Sequence, residues 1–164
     1  MIYEQALLEA IELQPTTSLE QSVWRETVNG RSALEPNTKG ARWNPPDTSA
    51  LYTSLTATCA TKEIEHLLAM QEPRPRVTTE LHELKVKLQR VVDLSTFDRV
   101  AALGLDIRSL PDNLEGHIPC QAIGGAAAFL TFEGILLPSL RLIGHVNLVI
   151  FTANIQVDSF VDLA

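Results

Sequence analysis

Leu84-Lys85-Val86-Lys87-Leu88 alternates apolar and charged residues without a break. Successive strand side chains point to opposite faces, so this run demands a sheet with one dry and one wet face. An all-helical bundle is thereby excluded. Gly134-Ile135-Leu136-Leu137-Pro138 and Val146-Asn147-Leu148-Val149-Ile150-Phe151 are apolar almost throughout and read as buried strands. Val91-Val92-Asp93-Leu94 extends or follows the alternating run, and Ala50-Leu51-Tyr52-Thr53-Ser54 has strand propensity.

Helical periodicity appears between these stretches. Tyr3, Leu7, Ala10 and Ile11 recur at three- and four-residue spacing over residues 2–14, and Pro15 ends the pattern. Residues 15–22 are polar and read as a link. A second helix is predicted over 56–70, capped by Ser54 or Thr56, with Ala60, Ile64, Leu67 and Leu68 as its buried stripe. Glu63 and Glu65 flank that stripe equally well, so periodicity does not choose between them. A short helix runs from Ser95 or Thr96 to Leu103 and closes at Gly104. Residues 105–117 read mostly as loop. A third helix is predicted over 119–132, with Pro119 in its first turn. Gly124-Gly125 within it implies close packing, since each glycine costs about 1 kcal/mol relative to alanine. The predicted fold class is α+β, with mixed β-sheets and peripheral helices. An N-terminal helix and link cover residues 1–21, and one domain covers 22–164.

At 164 residues the chain can bury roughly 70% of its unfolded surface. Its net charge of −7 would repel a phosphate backbone, which argues against direct nucleic-acid binding. Cys59 and Cys120 are too few for a disulfide framework and sit among small, apolar residues, as small hydrophobes do. Four histidines lack ligand spacing, so no metal site is predicted. No phosphate-loop or dinucleotide glycine motif occurs. The N-terminus carries glutamates where a signal peptide carries lysines, and no apolar run approaches the ~20 residues of a membrane span. The expected location is the cytoplasm.

The segment 23–54 is dense in turn formers, and so long a loop in a compact domain is more often functional than idle. From Trp24 to Asn44 it carries Arg25, Arg31, Lys39 and Arg42 against Glu26 and Glu35, a local net of +2 (four minus two). Such charges form either a solvated surface or an anion site, since a guanidinium matches phosphate oxygens. Arg42 stands apart because Trp43 and Pro45-Pro46 stiffen the backbone after it. Tyr52 offers either a core ring or a face for a flat cationic ligand.

Gly40-Ala41-Arg42-Trp43-Asn44-Pro45-Pro46, then Leu51-Tyr52-Thr53-Ser54, then Glu63, resembles the RES domain family. Trp24-Arg25, Val92-Asp93-Leu94, Gln121-Ala122-Ile123-Gly124, Leu137-Pro138-Ser139 and Asn147 to Phe151 continue the likeness over residues 22–152. Asp47 departs from it, standing where a glycine is common. Cys120 stands where a threonine is common.

The resemblance implies an ADP-ribosyltransferase-like fold and a toxin of a toxin–antitoxin pair that cleaves the nicotinamide–ribose bond of NAD+. NAD+ is then a substrate, and no cofactor is expected. Arg42, Tyr52 and Glu63 would form the catalytic centre, with Arg25 and Ser139 as supporting substrate-binding residues. In the implied roles Arg42 and Arg25 hold the pyrophosphate, and Tyr52 stacks on nicotinamide. Glu63 stabilises the positive ribose, and Ser139 orients a ribose hydroxyl or Glu63. The acceptor stays open between water, phosphate and a protein target, the last making the chain a mono-ADP-ribosyltransferase. A non-catalytic nucleotide- or partner-binding module is the remaining alternative. The implied partner is a helical, DNA-binding Xre-like antitoxin. The acidic N-terminal helix is open to homo-oligomer contact, antitoxin docking or a plain capping role.

Overall fold

The computed structural model describes residues 2–164. Six strands form one mixed sheet: β1 (Thr16–Val28), β2 (Ala50–Ser54), β3 (Thr79–Asp93), β4 (Gly134–Pro138), β5 (Val146–Phe151) and β6 (Phe160–Leu163). Their order is β1-β2-β5-β4-β3-β6, and a further β1–β3 pairing closes the first five into a ring. Among the described residues, only β3 and β4 run parallel. Alternation sends Val23, Leu51, Leu84, Val86, Leu88, Leu136, Leu148 and Ile150 to one core. The opposite set, including Val92, Ile135, Leu137, Val149 and Phe151, packs with the helices in a second core.

Four α-helices surround the sheet: α1 (Gln5–Glu12), α2 (Ala57–Ala69), α3 (Phe97–Ala101) and α4 (Leu114–Phe129). Thr56 caps α2 by accepting from the Cys59 N–H, and Thr96 caps α3 by accepting from the Arg99 N–H. Gly104 follows α3 at φ 86°, as a left-handed stop requires. Among the described residues, no helix is long and apolar enough to cross a membrane.

Three expectations are corrected. Residues 16–22 are not a link: they form the first half of β1, paired along β3 from Val92 to Lys85. Helix α4 starts at Leu114, five residues before the expected 119, capped by Asn113 on the Gly116 N–H, and Pro119 lies inside it. Leu67 is 60% exposed, and Cys59 takes its place in the buried stripe of α2. The alternating run 84–88 does form a half-exposed strand, the centre of the fifteen-residue β3, which Val91–Asp93 extend.

The paired glycines of α4 do mark close packing. A Cβ on Gly124 would overlap the Trp43 carbonyl oxygen, and one on Gly125 would overlap the Tyr3 hydroxyl. Helix α4 therefore lies directly on the loop that carries Arg42. Cys59 and Cys120 are free and buried, and burial pushes both thiols up.

Candidate active site

Helix α2 packs against β1 and β2 and presents Glu63 toward the mouth of the β4–β5 hairpin. Glu63 Oε1 accepts from Ser139 Oγ and from Asn147 Nδ2, both at 2.8 Å. Ser139 is fully buried, and its oxygen accepts the Arg141 and Leu142 N–H groups at 3.1 Å each, so its own proton goes to Glu63. Asn147 is oriented in turn, because its Oδ1 accepts from Ser54 Oγ at 2.7 Å and from Cys59 Sγ at 3.4 Å. Glu65 instead lies on the exposed side of α2, 3.3 Å from Lys62. Three-dimensional contacts thus separate two glutamates that helical periodicity leaves equivalent.

The Arg42 loop is built on Asn44, which is completely buried. Its Nδ2 donates to the Thr48 carbonyl at 2.8 Å and to Asn37 Oδ1 at 3.1 Å, and its Oδ1 accepts the Tyr52 hydroxyl at 2.6 Å. The Tyr52 oxygen accepts the Trp43 N–H at 2.9 Å. Burial pushes the Tyr52 phenol up, outweighing the opposing Trp43 and Asn44 contacts and the nearby Arg42 charge, so it keeps its proton for Asn44. Asp47 adopts φ 72°, the left-handed region. That explains why glycine is common there and why aspartate, which tolerates this region, can replace it.

Arg42 points to Asp112, on the segment before α4, with Nη2 to Oδ1 at 2.5 Å. The same carboxylate receives His117 on Oδ1 at 3.0 Å, and His66 and Arg141 on Oδ2 at 2.6 and 2.7 Å. Burial works to raise the Asp112 pKa, but the His117 and His66 hydrogen bonds and the Arg42 and Arg141 charges hold it far below the usual carboxylate range. Arg141 connects the two halves of the site: its side chain reaches Asp112, and its backbone N–H reaches Ser139.

The structure therefore brings Glu63 and Ser139 into direct contact, joins Arg42 to them through Asp112 and Arg141, and places Tyr52 under the Arg42 loop. Arg25 makes different contacts: its Nη1 donates to the Ala33 and Glu35 carbonyls at 2.9 and 2.8 Å, strapping the loop after β1. Asn147, Asp112, Arg141, His66 and His117 escaped the sequence reading. They come from three stretches far apart in sequence: α2, the start of α4 and the β4–β5 region. The available signals were Arg141, two residues after Ser139, and Asn147, which opens the last block of the family likeness.

The RES domain family model matches residues 19–162. This chain belongs to the RES domain family. It is similar to the NAD(+) phosphorylase MbcT of Mycobacterium tuberculosis, at 30% identity over 152 residues, covering 87% of this chain and 80% of that protein. The MbcT of Mycobacterium bovis matches to the same extent. Among solved structures, the M. tuberculosis MbcT–MbcA toxin–antitoxin complex superposes with a TM-score of 0.81 at 28% identity, covering 98% of this chain and 90% of that one.

Proposed function

We propose that this RES protein cleaves the nicotinamide–ribose bond of NAD+ and acts as the toxin of a type II toxin–antitoxin pair. The observation that carries the chemistry is the Glu63 carboxylate. One oxygen is held by Ser139 and Asn147, while Oε2 has no partner among the described residues. A carboxylate fixed through one oxygen is free to use the other on a ribose.

As the C–N bond breaks, its electron pair leaves with nicotinamide, which departs as a neutral ring and needs no acid. Positive charge grows on the ribose, and Glu63 stabilises it. A phosphate or water oxygen then bonds to the anomeric carbon, water losing its proton to solvent. Arg42 faces the pyrophosphate, and Tyr52 sets the Arg42 loop and offers its ring to nicotinamide. Ser139 positions Glu63, and Arg25 supports the site by bracing the loop. NAD+ is consumed as a substrate, with no cofactor required. Phosphate is the favoured acceptor because the similar MbcT proteins are NAD(+) phosphorylases. The ADP-ribosyltransferase-like fold assignment and the cytoplasmic location belong to the same reading. The partner would be a DNA-binding, Xre-like antitoxin, a proposal supported by the matching toxin–antitoxin complex.

Glu63→Gln tests the assignment. The amide oxygen can still accept from Ser139 and Asn147, so the fold is kept while the charge is lost. NAD+ loss should vanish. Wild-type consumption by the purified variant would refute the role. Labelled NAD+ separates the acceptors, since free ADP-ribose products mean degradation and labelled protein means transfer. Induction of the chain alone should arrest bacterial growth, relieved by the product of the neighbouring gene.

A further inference from the structure

The two oxygens of Asp112 receive four donors from four parts of the fold: Arg42 from its loop, His66 from α2, His117 from α4 and Arg141 from the β4–β5 connection. An ionised carboxylate only accepts, so both histidine Nε2 atoms carry their protons toward it. Two guanidiniums against one carboxylate leave at least one positive charge unbalanced. The Arg42 side chain is 15% exposed, and its Nη1 is a buried donor without a hydrogen-bond partner among the described residues. A cavity of about 490 Å³ opens at His66 and Arg141, lined also by Lys62, Glu65, Ala69 and Arg74. Asp112 itself is partly open, on a short segment between exposed Pro111 and Asn113. Donors converging on a single anion, a surplus of positive charge and an open approach are what a phosphoryl group requires.

We propose that Arg42, His66, His117 and Arg141 form an oxyanion site for a phosphoryl group, held in the free protein by the chain's own Asp112 carboxylate until a ligand displaces it. This rests on the NAD+ reading above and deepens it. A phosphate dianion, with more oxygens and more charge, satisfies the four donors and Arg42 Nη1 better than a carboxylate does. The displaced Asp112 side chain turns away from the donors, while Asn113 keeps the backbone beside it capped on α4. Arg141 then carries occupancy to Ser139, and through Ser139 to Glu63.

Calorimetric titration of inorganic phosphate and of inorganic pyrophosphate, at equal ionic strength, tests the site on wild type and Asp112→Asn. The variant keeps the shape of the side chain but removes the competing charge. It should bind at least one of the two anions about tenfold tighter or more. A gain for phosphate alone identifies the site with a free phosphate acceptor, and a gain for pyrophosphate alone with the dinucleotide's diphosphate. Glu65→Gln removes the same charge from the cavity lining without touching the four donors and should change affinity less than twofold. No gain in Asp112→Asn beyond that of Glu65→Gln overturns the proposal. Should Asp112→Asn fail to fold, the imidazole 15N resonances of His66 and His117 in wild type decide. Both must move together and saturably with one anion, and static resonances refute the site. NAD+ turnover by wild type is measured separately. Turnover without an oxyanion effect sinks only this inference, whereas absent turnover sinks the NAD+ reading and leaves the binding result standing.

Discussion

Asn147→Ala and Ser139→Ala test whether the hydrogen bonds on Glu63 Oε1 set the reactive carboxylate. Each donor lies 2.8 Å from that one oxygen. A hydrogen bond to a charged group contributes about 1.5–3 kcal/mol. Spent entirely on holding the carboxylate in its transition-state orientation, that is about 10- to 150-fold in rate. The site is half-buried, so the lower end applies and kcat should fall about tenfold for either variant. KM for NAD+ should hold within about threefold, because both side chains spend these hydrogen bonds on Glu63. The backbone pairing of Asn147 with Ser54 and Leu137 does not use the side chain, so the sheet survives. Both donors restrain the same rotation, so the second loss should cost less than the first. The double variant should recover at least about 0.5 kcal/mol relative to additivity. The assay is initial-rate NAD+ consumption, with melting temperature as the control for folding. Unchanged kcat in Asn147→Ala, or strictly additive losses, would refute the argument that Glu63 acts through a fixed orientation.

Other consequences are equally direct. Gly124→Ala drives a methyl into the Trp43 carbonyl; overpacking of this kind costs about 1–3 kcal/mol, so the melting temperature should drop by several degrees and KM for NAD+ should rise as the Arg42 loop shifts. Tyr52→Phe orphans the Trp43 N–H and Asn44 Oδ1; it should cost about 1–3 kcal/mol of stability, read by urea denaturation, and weaken substrate binding more than turnover. Glu133 is completely buried; burial works to raise its pKa, but the neighbouring Ser159 hydroxyl and the Gln89, Gln156 and Arg90 N–H groups outweigh that and hold it below the ordinary 4.5. Because the folded value is the lower one, its contribution is complete above the unfolded value and disappears as pH falls through the folded value. Urea midpoints between pH 7 and pH 3 should therefore decline in wild type, and less steeply in Glu133→Gln, which starts from a lower stability at pH 7.

What the sequence disclosed depended on burial. β4 and β5, whose residues are nearly all dry, were legible in their apolar runs, and the capped helices α2 and α3 in their caps. The first half of β1 was not, because Thr16 to Ser22 is largely exposed and held by backbone pairing with β3 rather than by a hydrophobic face. The start of α4 hid for a related reason: Leu114 and Ile118 are 74% and 61% exposed, so no core stripe announces that turn. Strand β6 is short and mostly exposed. At the site, Arg42, Tyr52, Glu63 and Ser139 could be named from the family's motifs. The groups that hold them could not, since Asp112, Asn147 and Arg141 meet only after the ring of strands closes.

The stretch between β1 and β2 contains no helix or strand, yet Asn44, Tyr52, Arg25 and Gly124 pin it from four directions. The entropy lost in arranging it is spent when the chain folds rather than when a ligand arrives. On the proposed NAD+ reading, a dinucleotide would meet a loop already set in shape, and its affinity would be spared the penalty that a slack segment of equal length would impose.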